Sequence, residues 1–190
     1  MDIIINKKPA LFAKSDLPML ISGQDKSGAS FYTICLAANL YKAKKKIIFF
    51  CAYPMGVEEF MKQTADGDGI EYVTAKTAIA GKTAIIVKPG DEELFAWVLQ
   101  NTPDVTNRII IIKNFEVHSS AVQKTVFRDN FVISGDIDKS PEAGVLREKD
   151  FASNIFFSKP SWLDSKDWQQ PEKYQAVIKG KNYSGTTALQ

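Results

Sequence analysis

Histidine is almost missing from this chain, with His118 alone among 190 residues, and cysteine is confined to Cys35 and Cys51. A single imidazole excludes the His-rich zinc constellations and would leave a Ser/His/Asp relay with only one base to draw on. Both cysteines stand inside apolar segments without metal-ligand spacing, so they are expected as reduced core thiols. Neither sign of charge is in excess: 24 basic residues against 22 acidic ones leave a net +2. That balance argues against a dedicated polyanion binder, and any charged surface must be local. Long apolar runs are also missing. The opening MDIIINKKPALFAK has three apolar residues before two lysines and a proline, so neither a secretory leader nor a membrane span is expected, and the cytoplasm is the default compartment. No repeat or low-complexity segment interrupts the chain. Its length suits one domain, large enough to fold around a core without disulfide, metal or cofactor.

What is present alternates. Met19-Leu20-Ile21 reads as a strand, and from Ser30 the positions Phe31, Ile34, Cys35, Ala38 and Leu40-Tyr41 recur at helical spacing up to the basic run of residues 42–46. Ile47-Ile48-Phe49-Phe50-Cys51-Ala52 is apolar on consecutive positions, as a strand covered on both faces should be. Pro54 and Gly56 break the chain before a short helix from Val57. Tyr72-Val73-Thr74 reads as an edge strand and residues 83–87 as a buried one. Asp91-Glu92-Glu93 opens a helix with acids where the dipole favours them. Ile109-Ile110-Ile111-Ile112 is the most strand-like stretch, and Ser119 or Ser120 caps a helix through Phe127. Phe131-Val132-Ile133 and Asn154-Ile155-Phe156-Phe157 are further strands on either side of a polar loop, residues 136–150. A hairpin is expected around Gly180-Lys181-Asn182-Tyr183. Strands alternating with helices at these intervals predict βαβ units, hence a mostly parallel sheet with helices on both faces.

The stretch that organises the rest is LPMLISGQDKSGASFYTICLAANL, from Leu17 to Leu40. It reads as strand, glycine-bounded loop, helix. In a phosphate loop of the form GxxxxGK[ST], backbone N–H groups and the helix N-terminus cradle an anion, the lysine reaches the outer phosphates, and the hydroxyl binds Mg²⁺. Here the frame is Gly23-Gln24-Asp25-Lys26-Ser27-Gly28-Ala29-Ser30, with both glycines and the serine in register and alanine in the lysine's place. The amides survive that loss, while Asp25 adds an opposing charge.

Gly23, Gly28 and Ser30 at the first βα turn, a second strand leading towards Glu58 and Glu59, and the late apolar strand Ile109 to Ile112 with polar residues just beyond it together resemble the RecA-like branch of the P-loop NTPases over roughly residues 17–158. The resemblance implies a three-layer α/β domain whose central sheet is mostly parallel, with a C-terminal antiparallel hairpin extension. The whole chain would be one domain: an N-terminal strand or clasp (1–16), a core (17–158), and a C-terminal loop and hairpin (159–190). Residues 23–30 would be the phosphate loop, Ser30 its Mg²⁺-side hydroxyl, Glu58 or Glu59 the water-activating carboxylate, and the end of the late strand the second metal-binding motif. Both motifs are degenerate, because Ala29 lacks the ammonium and Lys113 stands where the pattern has aspartate. Phosphoryl transfer depends almost wholly on positioning and charge, so two such losses should abolish ordinary hydrolysis. The implied protein is a pseudo-ATPase that binds ATP or ADP with Mg²⁺ and works by association, as a homo-oligomer or with an ATPase partner. The alternatives are an active ATPase in which Lys113 or Lys26 replaces the missing lysine, and a RecA-like nucleic-acid-binding module.

Each of these residues has a plainer reading beside the functional one. Lys113 reads as a solvated or salt-bridged lysine, Glu58 and Glu59 as helix-start carboxylates, and residues 42–46 as a charged helix end. Trp162, Trp168, Tyr174 and Tyr183, with Lys173, Lys179 and Lys181, would stack nucleic-acid bases or simply cover the sheet edge.

Overall fold

The computed structural model describes residues 4–5, 8–9, 16–65, 67–127, 129–148, 150–163, 175–180 and 184–188. In chain order the elements are β1 (Ile4–Ile5), β2 (Lys8–Pro9), β3 (Met19–Ser22), α1 (Ala29–Lys42), β4 (Ile47–Cys51), α2 (Pro54–Thr64), β5 (Ile70–Val73), β6 (Ala84–Val87) and α3 (Glu92–Asn101). There follow β7 (Ile109–Lys113), α4 (Ser120–Gln123), β8 (Phe131–Gly135), α5 (Ala143–Glu148), β9 (Ser153–Phe156), β10 (Gln175–Gly180) and β11 (Ser184–Ala188). The strands form one sheet in the order β2-β1-β11-β10-β9-β3-β8-β7-β4-β6-β5. From β9 to β5 every pairing is parallel, and from β9 outward through β10, β11, β1 and β2 every pairing is antiparallel. The mostly parallel α/β sheet with an antiparallel hairpin at its C-terminal side is therefore as the sequence implied. Trp168, Lys173, Tyr174, Lys181 and Tyr183, all placed by sequence in the region of that hairpin, lie outside the described residues.

The three layers are visible in two adjacent residues of β4. Successive strand side chains point to opposite faces, so Phe49 stacks on Phe60 of α2 at 5.3 Å while Phe50 stacks on Phe95 of α3 at 4.3 Å. The α1/α2 face buries Tyr32, Leu36, Leu40 and Phe60 over Ile21, Phe49 and Ile111. The opposite face buries Leu94, Phe95, Val98 and Leu146 over Ile48, Ile110 and Ile133. A sheet covered on both sides needs apolar residues at consecutive positions, and every residue of β4 is buried.

Three local features differ from the sequence expectation. The second helix begins at Pro54, because a proline's fixed φ and missing N–H suit a first turn. The helix after Ser119 is α-helical only over Ser120–Gln123 and continues as a 3₁₀ turn, Lys124–Phe127. The polar segment 136–150 is not all loop: it holds a 3₁₀ turn, Ile137–Lys139, and α5, pinned by buried Ile137 and Leu146.

Candidate functional site

The candidate site lies at the carboxyl edge of the parallel sheet, where α/β folds place their ligands. β3 ends at Ser22, and residues 23–28 turn back into α1. Gly28, at φ 104°, occupies a backbone conformation that a side chain would strain. The turn is tied at several points: Gly23 N–H donates to Gly135 O at 3.2 Å, Ser27 N–H to Gln24 O at 3.1 Å, and Gln24 N–H to Ser158 Oγ at 3.0 Å. The Tyr32 N–H bonds back to Gly28 O at 2.9 Å, so the Ala29, Ser30 and Phe31 N–H groups precede the first intrahelical bond. Gly28, at the N-cap, has no side chain to offer, the Ala29 N–H makes a long bond to Ser27 Oγ at 3.5 Å, and the first turn carries no acid. By contrast, Asp91 caps α3 by accepting from Leu94 N–H at 3.0 Å.

The turn forms one wall of a cup of about 250 Å³. Asn114, Glu116, Gly135 and Asp136, from the ends of β7 and β8, form the other wall. That volume is below the roughly 300–1,000 Å³ of a typical whole-ligand pocket, and suits a phosphate tail with its remainder over the open edge. The cup has an acidic lining, since Asp25, Glu116 and Asp136 face it together with Lys26. Glu116 folds towards β8, where its Oε2 accepts from Asp136 N–H at 3.1 Å. Gly135 permits that approach, because a Cβ there would run into the Glu116 carboxylate and lie 2.9 Å from Phe115 N. Lys139 is not itself a lining residue but pairs with two that are, 3.2 Å from Asp136 Oδ2 and 3.7 Å from Asp25 Oδ2. The hydrogen bond to Asp136, then the Asp136 and Asp25 charges, raise its pKa.

The residues singled out from sequence separate into two groups. Gly23, Gln24, Asp25, Lys26, Ser27, Gly28, Ala29 and Ser30 all line the cup. Ser30 is exposed there, while Ala29 is buried against the core with its Cβ turned towards Gly23. Glu58 and Glu59 lie on α2 and are not among the cup's lining residues; Glu59 accepts from Gln63 Nε2 at 3.1 Å. Lys113 is also outside the lining. β8 stands between β7 and β3, and Lys113 shares its face of the sheet with Ile111. Its side chain is 6% exposed, runs beside Gly56, and ends with Nζ donating to Asn114 Oδ1 at 2.8 Å. Burial lowers the pKa of this ammonium, with Cys51 and Glu116 opposing. Among the described residues no carboxylate lies within ion-pair distance of it.

Sequence reading passed over Glu116 and took Asp136 only as the start of the polar loop 136–150, not as a site residue of its own. The signal available for them was position alone: each follows closely on a strand whose carboxyl end faces this edge. The basic run is at the other end of α1, where Lys44 sits 5.9 Å over the Tyr41 ring and Lys46 pairs with Asp104 at 3.2 Å. Trp162 packs edge-on against Phe156 at 6.2 Å, as an aromatic covering the sheet would. Among the described residues no group of acids, histidines and cysteines is arranged to hold a metal unaided, and no helix is long and apolar enough to cross a membrane.

No protein-family model and no curated protein matches the chain. Solved structures do. The chain is similar to the genome packaging NTPase B204 from Sulfolobus turreted icosahedral virus 2 in complex with sulfate, at 14% identity and a TM-score of 0.60, covering 92% of this chain and 96% of that one. The same NTPase in complex with AMP aligns at 14% identity and 0.61 over 88% and 94%. With ATP-gammaS it aligns at 13% identity and 0.61 over 94% and 98%. At this identity the likeness concerns the fold alone, the one shared with that packaging NTPase.

Proposed function

We propose that this chain binds the phosphate tail of ATP or ADP in the cup formed by residues 23–30 without hydrolysing it efficiently, and that it acts through association, with copies of itself or with an ATPase partner. The observation that supports this reading is the start of α1, where the Ser30 and Phe31 N–H groups precede the first intrahelical bond and both residues line the cup, in a fold whose solved neighbours hold AMP and ATP-gammaS. The neighbours' ligands are theirs; the amide-lined turn is this chain's own.

The donor set is compatible with Mg²⁺ entering with the nucleotide. Ser30 Oγ and the Glu116 and Asp136 carboxylates offer hard oxygen ligands on the cup wall, and Mg²⁺ commonly combines one or two such groups with substrate phosphates. The ion would neutralise phosphate charge there. Against turnover stand Ala29 in the lysine's place, Lys113 enclosed beside Gly56, and Glu58 and Glu59 outside the cup. The second reading, an active ATPase, has one feature in its favour: Lys26 does line the cup. Titrating the protein with ATP, ADP and a non-hydrolysable analogue, with and without Mg²⁺, and assaying phosphate release on the same samples separates the two. Saturable binding without release supports the proposal. Mg²⁺-dependent release abolished by Lys26→Ala establishes the other reading. A nucleic-acid role would instead appear as an affinity falling steeply with salt.

A further inference from the structure

The cup poses an electrostatic problem for the proposed ligand. Three carboxylates, Asp25, Glu116 and Asp136, line it with one ammonium, Lys26, and a polyphosphate brings more negative charge. The ammonium that a phosphate loop carries at the head of its helix is replaced here by buried Ala29. Lys113 is not among the lining residues, and its Nζ is engaged by the Oδ1 of Asn114, which is.

We infer that Lys139, on the turn after β8 and bridging the lining carboxylates of Asp136 and Asp25, supplies the cation for the outer phosphates that the loop itself lacks. The inference rests on the nucleotide-binding reading above and adds to it the residue that selects for phosphate number. Its root is fixed: Lys139 N–H donates to Asp136 O at 3.0 Å, and Ile137 between them is 2% exposed. The turn is held from outside as well, because the Asp138 carboxylate accepts from Ser161 N–H at 2.9 Å and Ser161 Oγ at 2.6 Å. The ammonium's two partners are unequal. Asp136 is closer, at 3.2 Å, and its side chain is 9% exposed, whereas Asp25 is 3.7 Å away and 90% exposed. An exposed, loose ion pair contributes little and exchanges readily. An incoming phosphate therefore displaces Asp25 while Asp136 keeps the ammonium at the rim. Asp25 acts as a stand-in anion in the free protein.

The test is calorimetric titration of wild type, Lys139→Ala, Lys139→Arg and Asp25→Asn with ATP, ADP and AMP at fixed Mg²⁺. Lys139 is solvent-exposed, so the variants should fold, and a thermal melt on each checks this. Lys139→Ala is expected to weaken ATP binding by about tenfold and AMP binding far less, since a charge-assisted contact to an outer phosphate is lost. Lys139→Arg should keep most of the affinity, and Asp25→Asn should tighten ATP binding by removing the competitor. An unchanged ATP affinity in folded Lys139→Ala, or equal losses for ATP and AMP, overturns the assignment while leaving the nucleotide site standing. Wild type that binds none of the three overturns the functional reading and this assignment with it.

Discussion

The N–H of Gly23 donates to the carbonyl oxygen of Gly135 at 3.2 Å, tying the end of β3 to the end of β8 at the floor of the cup. Both residues must be glycine for a packing reason. A Cβ on Gly23 would meet Ser27 Oγ, Phe157 Cβ at 2.8 Å and Ala29 Cβ at 3.1 Å. Gly23→Ala is expected to cost about 1–3 kcal/mol, the range for overfilling a packed site, and to weaken nucleotide binding. Urea unfolding and a binding titration on the same preparation check both effects.

Beneath the cup, α1 is clamped to β8. Thr33 Oγ1 lies 2.6 Å from Ser134 Oγ and 2.8 Å from Ala29 O, and both side chains are essentially inaccessible. Thr33→Val leaves the Ser134 hydroxyl buried without its partner, at an expected cost of about 1–3 kcal/mol. Thr33→Val/Ser134→Ala should cost less than the sum of the single changes. Additivity in this double-mutant cycle would show that the contact carries no coupling.

At the opposite edge of the sheet, Arg108 is 1% exposed and donates to Gly81 O and Lys82 O at 2.8 Å and to Pro103 O at 3.4 Å. Burial lowers its pKa, and the Asp104 and Glu71 charges oppose the shift. Arg108→Met orphans these carbonyls and should destabilise the fold by about 2–5 kcal/mol. Under conditions where the variant remains folded, nucleotide affinity should be unchanged, because the cup is at the other end of the strands.

Glu92 links α3 to the segment after β7. Burial acts to raise its pKa, but hydrogen bonds from Ser119 Oγ and Ser119 N–H and from His118, with the His118 charge, outweigh it and hold the carboxyl below its ordinary 4.5. A depressed folded pKa contributes stability above the unfolded value, and that contribution is lost as pH falls through the folded one. Stability should therefore decline on the acid side of pH 4.5. Glu92→Gln should be less stable at neutral pH and show a shallower acid limb. Urea midpoints measured from pH 7 down to about 3 give the comparison.

Cys51 is fully inaccessible, and burial pushes its thiol up to about 11. Its thiolate is accordingly scarce at pH 8. A thiol reagent at that pH should leave Cys51 unmodified in the folded protein and label it after unfolding, with the site read by peptide mass.

Much of the scaffold was legible because its signals are local. Consecutive apolar positions at Ile47-Ile48-Phe49-Phe50 mark a strand covered on both faces, and the Gly23 to Ser30 spacing marks a turn into a helix. The cup's far wall was not legible in that way. Glu116 and Asp136 reach residues 23–30 because β8 lies beside β3 and β7 beside β8, an order set by tertiary packing. The same order explains Lys113. Strand alternation puts its side chain on the α1/α2 face with Ile111, beside Gly56, where its Nζ meets the lining residue Asn114 without itself lining the cup. Glu58 and Glu59 lie on the helix after the second strand as expected, though that helix starts at Pro54, and neither is among the cup's lining residues.

The account stands most directly on whether the amide-lined turn takes a phosphate tail and leaves it intact. Calorimetric titration of the wild-type protein with ATP and Mg²⁺, followed by phosphate assay of the same cell contents, measures both. The account predicts saturable binding, lost in Gly23→Ala, with no phosphate released above the protein-free control. Absence of binding heat across a range of temperatures, or robust Mg²⁺-dependent release, would contradict it.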